Sequence, residues 1–336
     1  MTTTVLICDD SSFARKQMAR ALPEKWGMEL NFAVNGVEAL DLIRKGKGDI
    51  LFLDLNMPVM DGYQTLDVIL KEDLPTLTIV VSGDIQPEAR VRVKKLGALE
   101  FVKKPIDGGL VEEILNRYGV VFETREKKAE PIKNTTPDDK KSLDLDDCYQ
   151  ELANVAMGRA ADLLARFLGV YVVMPIPNVR HIEMKELQMV IQHIKADEKI
   201  SAVCQGFIGS GIAGEALLVF NETSYADMAD LMQYENADTE AAQLEVLMDI
   251  SSVLCNACLN GISDQLDITF SLGHPRVIGQ HIQFDDILKG ASTKWQQILA
   301  IEMGYKIENK NINCDLLLLI TEDSIDALND RVSFLL

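Results

Sequence analysis

From Val5 to about Val121, short β-branched runs alternate with stretches in which apolar positions recur at helical spacing. Val5–Cys8, Leu30–Ala33, Ile50–Leu53, Thr78–Val81 and Leu99–Val102 read as strands, and Ser12–Leu22, Val37–Arg44, Gly62–Leu70 and Pro87–Leu96 read as amphipathic helices. Five strands joined by helical crossovers predict an α/β fold with a doubly wound parallel sheet. In such a sheet, sites form at the carboxyl ends of the strands. The pattern then lapses. Residues 123–142 carry mixed charge and prolines with almost no large apolar groups, the composition of a flexible linker. Globular patterning resumes and runs to Leu336, giving three segments: 1–122, 123–142 and 143–336.

The last segment repeats itself weakly. An offset of 98 residues relates Glu151 to Asp249, Asn154 to Ser252 and Pro177 to Pro275, and also pairs Val155 with Val253, Leu168 with Leu266 and Val179 with Val277. A constant offset over conservative matches predicts two tandem copies of one α/β unit, about 143–235 and 241–336, related by a pseudo-twofold axis.

Composition narrows the function. The chain has 336 residues, long enough for at least two domains, and is 47% hydrophobic and 25% charged. A formal charge of −19 speaks against nucleic acid and anionic lipid as partners, and no basic recognition helix follows the linker. Apolar runs such as Leu316–Ile320 fall far short of the roughly 20 residues of a membrane span, and the start of the chain has no basic, signal-like flank. A cytoplasmic protein is expected. The six cysteines (Cys8, Cys148, Cys204, Cys255, Cys258, Cys314) sit in apolar stretches and read as buried packing groups. Cys255-x-x-Cys258 has no second pair or nearby His at zinc spacing. The four histidines have no Ser or Cys partner at a recognisable spacing.

The predicted strand ends bring chemistry together: Asp9-Asp10 after the first strand, Asp54 after the third, Ser82 after the fourth and Lys104-Pro105 after the fifth. Clustered carboxylates need a neutralising cation, and hard oxygen donors suit Mg²⁺. Mg²⁺, an ammonium and a hydroxyl together balance the charge that gathers when a carboxylate accepts a phosphoryl group. The segments ICDDSS, LDLNMPVMDG, VVSGD and GALEFVKKP resemble the receiver (CheY-like) family across residues 1–122. That resemblance implies Asp54 as the phosphorylated residue and Asp9, Asp10, Asp54 and the Asn56 carbonyl as Mg²⁺ ligands. It also implies Ser82 and Phe101 as a switch pair, Lys104 as the phosphoryl-binding lysine, and a sensor histidine kinase as partner. Asn56 and Asp84 flank the site as in the chemotaxis regulators that turn over quickly, and that resemblance implies a short-lived phosphoryl group.

In the last segment Glu151 and Asn154 lie three apart, on one face of a predicted helix. A carboxylate grips an ammonium and an amide orients a water, the equipment for in-line attack on an acyl phosphate. The longer pattern Asp147-x3-Glu151-x2-Asn154-x22-Pro177 resembles the CheC, CheX and FliY family of chemotaxis phosphatases over residues 143–336. That resemblance implies that Glu151 and Asn154 act on a receiver aspartyl phosphate. In the second copy Asp249 is a methylene shorter and Ser252 has no amide, so a degenerate, structural site is expected there.

Together these readings predict a two-component response regulator whose own C-terminal domain hydrolyses receiver aspartyl phosphate, in cis or in trans. A tether of ~20 residues reaches about 25 Å, which makes attack in cis feasible. The alternative is a phosphorylation-gated, non-catalytic adaptor for a kinase or a flagellar or chemotaxis partner. Relatives of the last segment dimerise, so a homodimer is a further expectation, with Cys314–Ile320 as either an edge strand or core.

Overall fold

A computed structural model of the chain describes residues 3–23, 27–118, 145–183, 200–234, 239–282 and 297–335. The segment expected as a linker, together with His193 of the four histidines, lies outside the described residues. The chain forms two compact units, Met1–Glu151 and Leu152–Leu336.

In the first unit the order is β1 (Thr3–Cys8), α1 (Ser12–Ala21), β2 (Met28–Ala33), α2 (Gly36–Arg44), β3 (Ile50–Leu53), α3 (Gly62–Glu72), β4 (Leu77–Ser82), α4 (Pro87–Lys95), β5 (Glu100–Lys103) and α5 (Gly108–Arg117). The five strands lie parallel in the order β2-β1-β3-β4-β5. Alternate residues of the buried strands feed two cores: Leu6, Leu51, Leu53 and Val80 on one face, Val5, Ile7, Phe52 and Ile79 on the other. Both faces are therefore apolar, which is why these strands read as unbroken hydrophobic runs. Each buried Leu, Ile or Phe contributes about 1.5–3 kcal/mol. Helix starts are set locally, by Ser11, Asn35 and Asp107 side-chain caps, by an Asp61/Gln64 capping box, and by Pro87 in the first turn of α4.

Helix α6 spans Leu145–Leu168. The second unit continues with β6 (Val172–Val173), β7 (Asn178–Glu183), β8 (Ile200–Gly209), β9 (Ile212–Asn221) and α7 (Tyr225–Leu231). The same succession then recurs as α8 (Glu240–Leu266), β10 (Ser271–Leu272), β11 (Arg276–Ile282), β12 (Gln297–Ile307), β13 (Asn313–Thr321) and α9 (Glu322–Ser333). The eight strands make one sheet, with β10-β8-β9-β13-β12-β6 in line, β11 on β8 and β7 on β12. Its pairings are antiparallel.

The duplication is thus real in space, and the copies exchange strands: β7 of the first pairs with β12 of the second, while β11 of the second pairs with β8 of the first. The seam is β9 against β13. Cys314–Ile320 is therefore hydrogen-bonded on both sides, to β9 and β12, and is central core; the edge-strand alternative is wrong because the duplicated partner strand covers it. The two long helices meet where Gly261 approaches Ala156; a Cβ on Gly261 would lie 2.9 Å from the Ala156 Cα. Gln265 Nε2 donates to the Leu152 carbonyl across the same seam (3.1 Å). Among the described residues one helix, α8, is long and apolar enough to cross a membrane, and most of its apolar stretch is buried in the unit, including Val246, Ile250, Leu254 and Cys258.

Candidate functional site

Backbone pairing carries the strand ends of the first unit past the sheet and so sets the site. The Asp54 amide donates to the Cys8 carbonyl (2.9 Å), placing Asp54 beside the Asp9-Asp10 turn, and the Lys104 amide donates to the Ser82 carbonyl (2.9 Å). Helix α3 packs close behind: a Cβ at Gly62 would overlap the Asp54 carbonyl, so this position admits only glycine. Two main-chain carbonyls of the acidic turn, Asp9 and Asp10, are held by the Arg15 guanidinium at 2.6 and 2.9 Å. Sequence reading missed Arg15; an arginine five or six residues beyond an acidic pair is the only local signal of it.

The Lys104 ammonium stands at the centre of three carboxylates, 2.7 Å from Asp9 Oδ2, 3.1 Å from Asp54 Oδ1 and 3.1 Å from Glu151 Oε1. All four side chains are buried. Asp9 Oδ1 accepts from the Ser11 amide and Asp54 Oδ2 from the Asn56 amide (2.8 Å). Asp54 Oδ1 has the charge of Lys104 beside it but no aligned hydrogen-bond donor. Glu151, on the second turn of α6, falls within the first compact unit.

Burial dominates the titration here. It pushes Asp9 up to about 8, with Asp54 and Glu151 adding to the rise and Lys104 opposing it. Asp10 goes up to about 7 by burial, then by Asp9 and Asp54. Glu151 is raised by burial too, against the pull of Lys104. For Lys104 burial acts downward, but Asp54, Asp9 and Glu151 outweigh it and hold the ammonium charged well above its ordinary range. An excess of buried negative charge with an oxygen lacking a donor is a donor set that fits a hard divalent cation. Among the described residues, however, no three acidic, His or Cys side chains surround a common point at ligand distance. In this arrangement the ammonium takes the central place.

Ser82 Oγ accepts from the Asp84 amide, and Asp84 Oδ1 accepts from the Gln86 amide and side chain, so the β4–α4 loop is braced at its root. Phe101 lies under the Arg90 guanidinium, 5.2 Å from its ring centre. Asp147 accepts from the Ser12 hydroxyl and the Phe13 amide. Asn154, one turn beyond Glu151 on α6, is also buried.

The equivalent positions of the second copy differ. Asp249 is exposed on α8 and its Oδ2 accepts from the Tyr234 hydroxyl (2.8 Å); Ser252 is half-buried. The cysteines are all free and buried; Cys255 and Cys258 sit inside α8, with the Cys258 thiol 3.5 Å from Met303 Sδ, and burial raises both thiols. Both thiols are fully buried and pack inside the unit.

Residues 5–116 match the response regulator receiver domain family. Among curated proteins, protein-glutamate methylesterase/protein-glutamine glutaminase 3 of Geobacter sulfurreducens is 38% identical over 112 residues, 33% of this chain and 30% of that protein. The corresponding enzyme of Archaeoglobus fulgidus is 40% identical over 111 residues, 32% of this chain and 31% of that protein. The chain thus spans about a third of the length of these relatives. Among solved structures, Thermotoga maritima FliY is 20% identical, with 59% of this chain and 100% of that chain covered and a TM-score of 0.44. The response regulator domain of Thermotoga maritima CheB is 27% identical, with 36% and 99% covered and a TM-score of 0.32. With a five-stranded parallel sheet whose strand ends gather Asp9, Asp54, Ser82 and Lys104, residues 5–116 are a response regulator receiver domain.

Proposed function

We propose that this chain accepts a phosphoryl group on Asp54 and that its own C-terminal segment removes it. The observation that carries this reading is the Glu151 carboxylate seated 3.1 Å from the Lys104 ammonium, which is itself 3.1 Å from Asp54. A helix that brings a carboxylate to the lysine beside the acceptor aspartate has a place to work from. The contact is made within one chain, which supports action in cis.

In this reading Ser82 and Lys104 hold the phosphoryl oxygens and Glu151 anchors α6 through Lys104. Asn154, one turn further along and ~4.5 Å up the helix axis, orients a water in line with the phosphorus. The water oxygen bonds to phosphorus as the bond to Asp54 oxygen breaks, leaving a free carboxylate and dihydrogen phosphate. Mg²⁺, with Asp9, Asp10, Asp54 and the Asn56 carbonyl as donors, supplies charge neutralisation at the phosphoryl oxygens when bound. The phosphoryl group comes from a sensor histidine kinase.

The test follows phosphoryl loss from the phosphorylated full-length chain. Asn154→Ala is expected to slow it about 10²-fold, as loss of a transition-state donor does, and Glu151→Ala to slow it comparably. A first-order rate independent of protein concentration marks the cis route. Unchanged loss in both variants refutes the phosphatase reading and leaves the phosphorylation-gated adaptor.

A further inference from the structure

The start of helix α1 leaves backbone amides to be satisfied from outside the helix. Its first turn has no acidic residue, and the Ser11 cap takes only one of its free amides, that of Ala14 (3.1 Å). The next free donor, the Phe13 amide, is satisfied by Asp147 Oδ2 at 2.9 Å, from 134 residues away. The Ser12 hydroxyl donates to the same oxygen at 2.6 Å. An acceptor-only carboxylate at the electropositive end of a helix, with two donors on one oxygen, is a charge-assisted grip rather than a chance proximity.

Asp147 and Glu151 are four residues apart on α6, so they share one helix face. One carboxylate takes the start of α1 and the other takes Lys104, two fixed points of the same receiver. A single contact lets a helix pivot about it; two contacts a turn apart set both its position and its direction.

We infer that Asp147 is a positioning and specificity residue for the proposed reaction. It sets the register of α6 so that Glu151 meets Lys104, and it selects phosphorylated receivers with a hydroxyl side chain two residues after the acidic pair, as in Asp9-Asp10-Ser11-Ser12. The inference rests on the phosphatase reading. A receiver with an apolar residue there offers one donor instead of two.

The experiment uses the full-length chain with two readouts: amide hydrogen exchange over Ser12–Ala14 in the unphosphorylated protein, and first-order phosphoryl loss after phosphorylation. Asp147→Ala is expected to speed exchange at Phe13 and to slow phosphoryl loss, each about tenfold, the size of a lost hydrogen bond to a charged group. Ser12→Ala has a smaller effect in the same direction, and Ser12→Thr, which keeps the hydroxyl, recovers most of it. The double variant Ser12→Ala/Asp147→Ala is no slower than Asp147→Ala alone, as a contact shared by the two side chains requires. Unchanged exchange at Phe13 in Asp147→Ala, or additive effects in the double variant, overturns the inference while Glu151→Ala still reports on hydrolysis. If Glu151→Ala and Asn154→Ala leave phosphoryl loss unchanged, the hydrolytic reading fails and the selectivity inference falls with it, whereas the exchange data still decide whether Asp147 grips α1.

Discussion

The two copies of the second segment's pattern share a scaffold and differ in their chemistry. Around α6, Glu151 is buried and ion-paired with Lys104; around α8, its counterpart Asp249 is exposed and occupied by the Tyr234 hydroxyl. Both helices start the same succession of strands, and each copy completes the sheet of the other. Duplication therefore constrains packing at both sites, because neither copy has a closed sheet alone. It does not constrain the polar face, where Glu151 meets a buried lysine and Asp249 meets an exposed tyrosine hydroxyl.

The sharpest way to break this comparison is to transplant the chemistry. In an Asn154→Ala chain, slowed about 10²-fold by the proposed mechanism, adding Asp249→Glu and Ser252→Asn is expected to restore none of the phosphoryl loss, since Asp249 faces solvent and Tyr234 rather than a lysine. Recovery of the rate would show that the copies are functionally equivalent. The shared scaffold is probed at the helix crossing: Gly261→Leu forces α8 away from Ala156 and is expected to cost about 1–3 kcal/mol by overpacking, measured by denaturant unfolding. No loss of stability would mean that the two long helices are not held by this close approach.

A third test separates the copies by pH. Asp315 on β13 is pushed up to about 6 by burial, then by Glu302, against the pull of Lys306. On β9 of the other copy, Glu215 instead accepts from the Cys204 thiol at 3.4 Å. A carboxyl whose folded value lies above its unfolded value holds its proton more tightly in the fold, so its contribution to stability is retained below about pH 4 and lost as pH rises through 6. Asp315→Asn is expected to stabilise the protein by about 1–2 kcal/mol above pH 6 and to do nothing below pH 4; a pH-independent gain would assign the effect to packing. The smallest effect belongs to Tyr234→Phe, which removes the Asp249 contact and costs about 0.5 kcal/mol at an exposed site, with phosphoryl loss unchanged. A slowed rate would give the second copy a part in the chemistry.

Much of this protein is legible in its residue pattern. The parallel sheet of the first unit shows because both its faces are buried, so its strands are short apolar runs and the acidic, hydroxyl and ammonium residues fall at their ends. The duplication shows because packing positions such as Leu168/Leu266 are buried and apolar in both copies. Helix α5 was not singled out, its pattern being short and opening on the Gly108-Gly109 pair.

Other features depend on contacts between residues far apart in the chain, which no local pattern records. The strand exchange that makes Cys314–Ile320 central, the Tyr234 hydroxyl on Asp249 and the Asp147 grip on α1 are of this kind. So is the place of Lys104 among three carboxylates. Sequence alone determined which residue types lie on which face, since periodicity and burial act locally. Only the tertiary structure decided which of those polar groups meet, because charge and hydrogen bonding depend on distance in space.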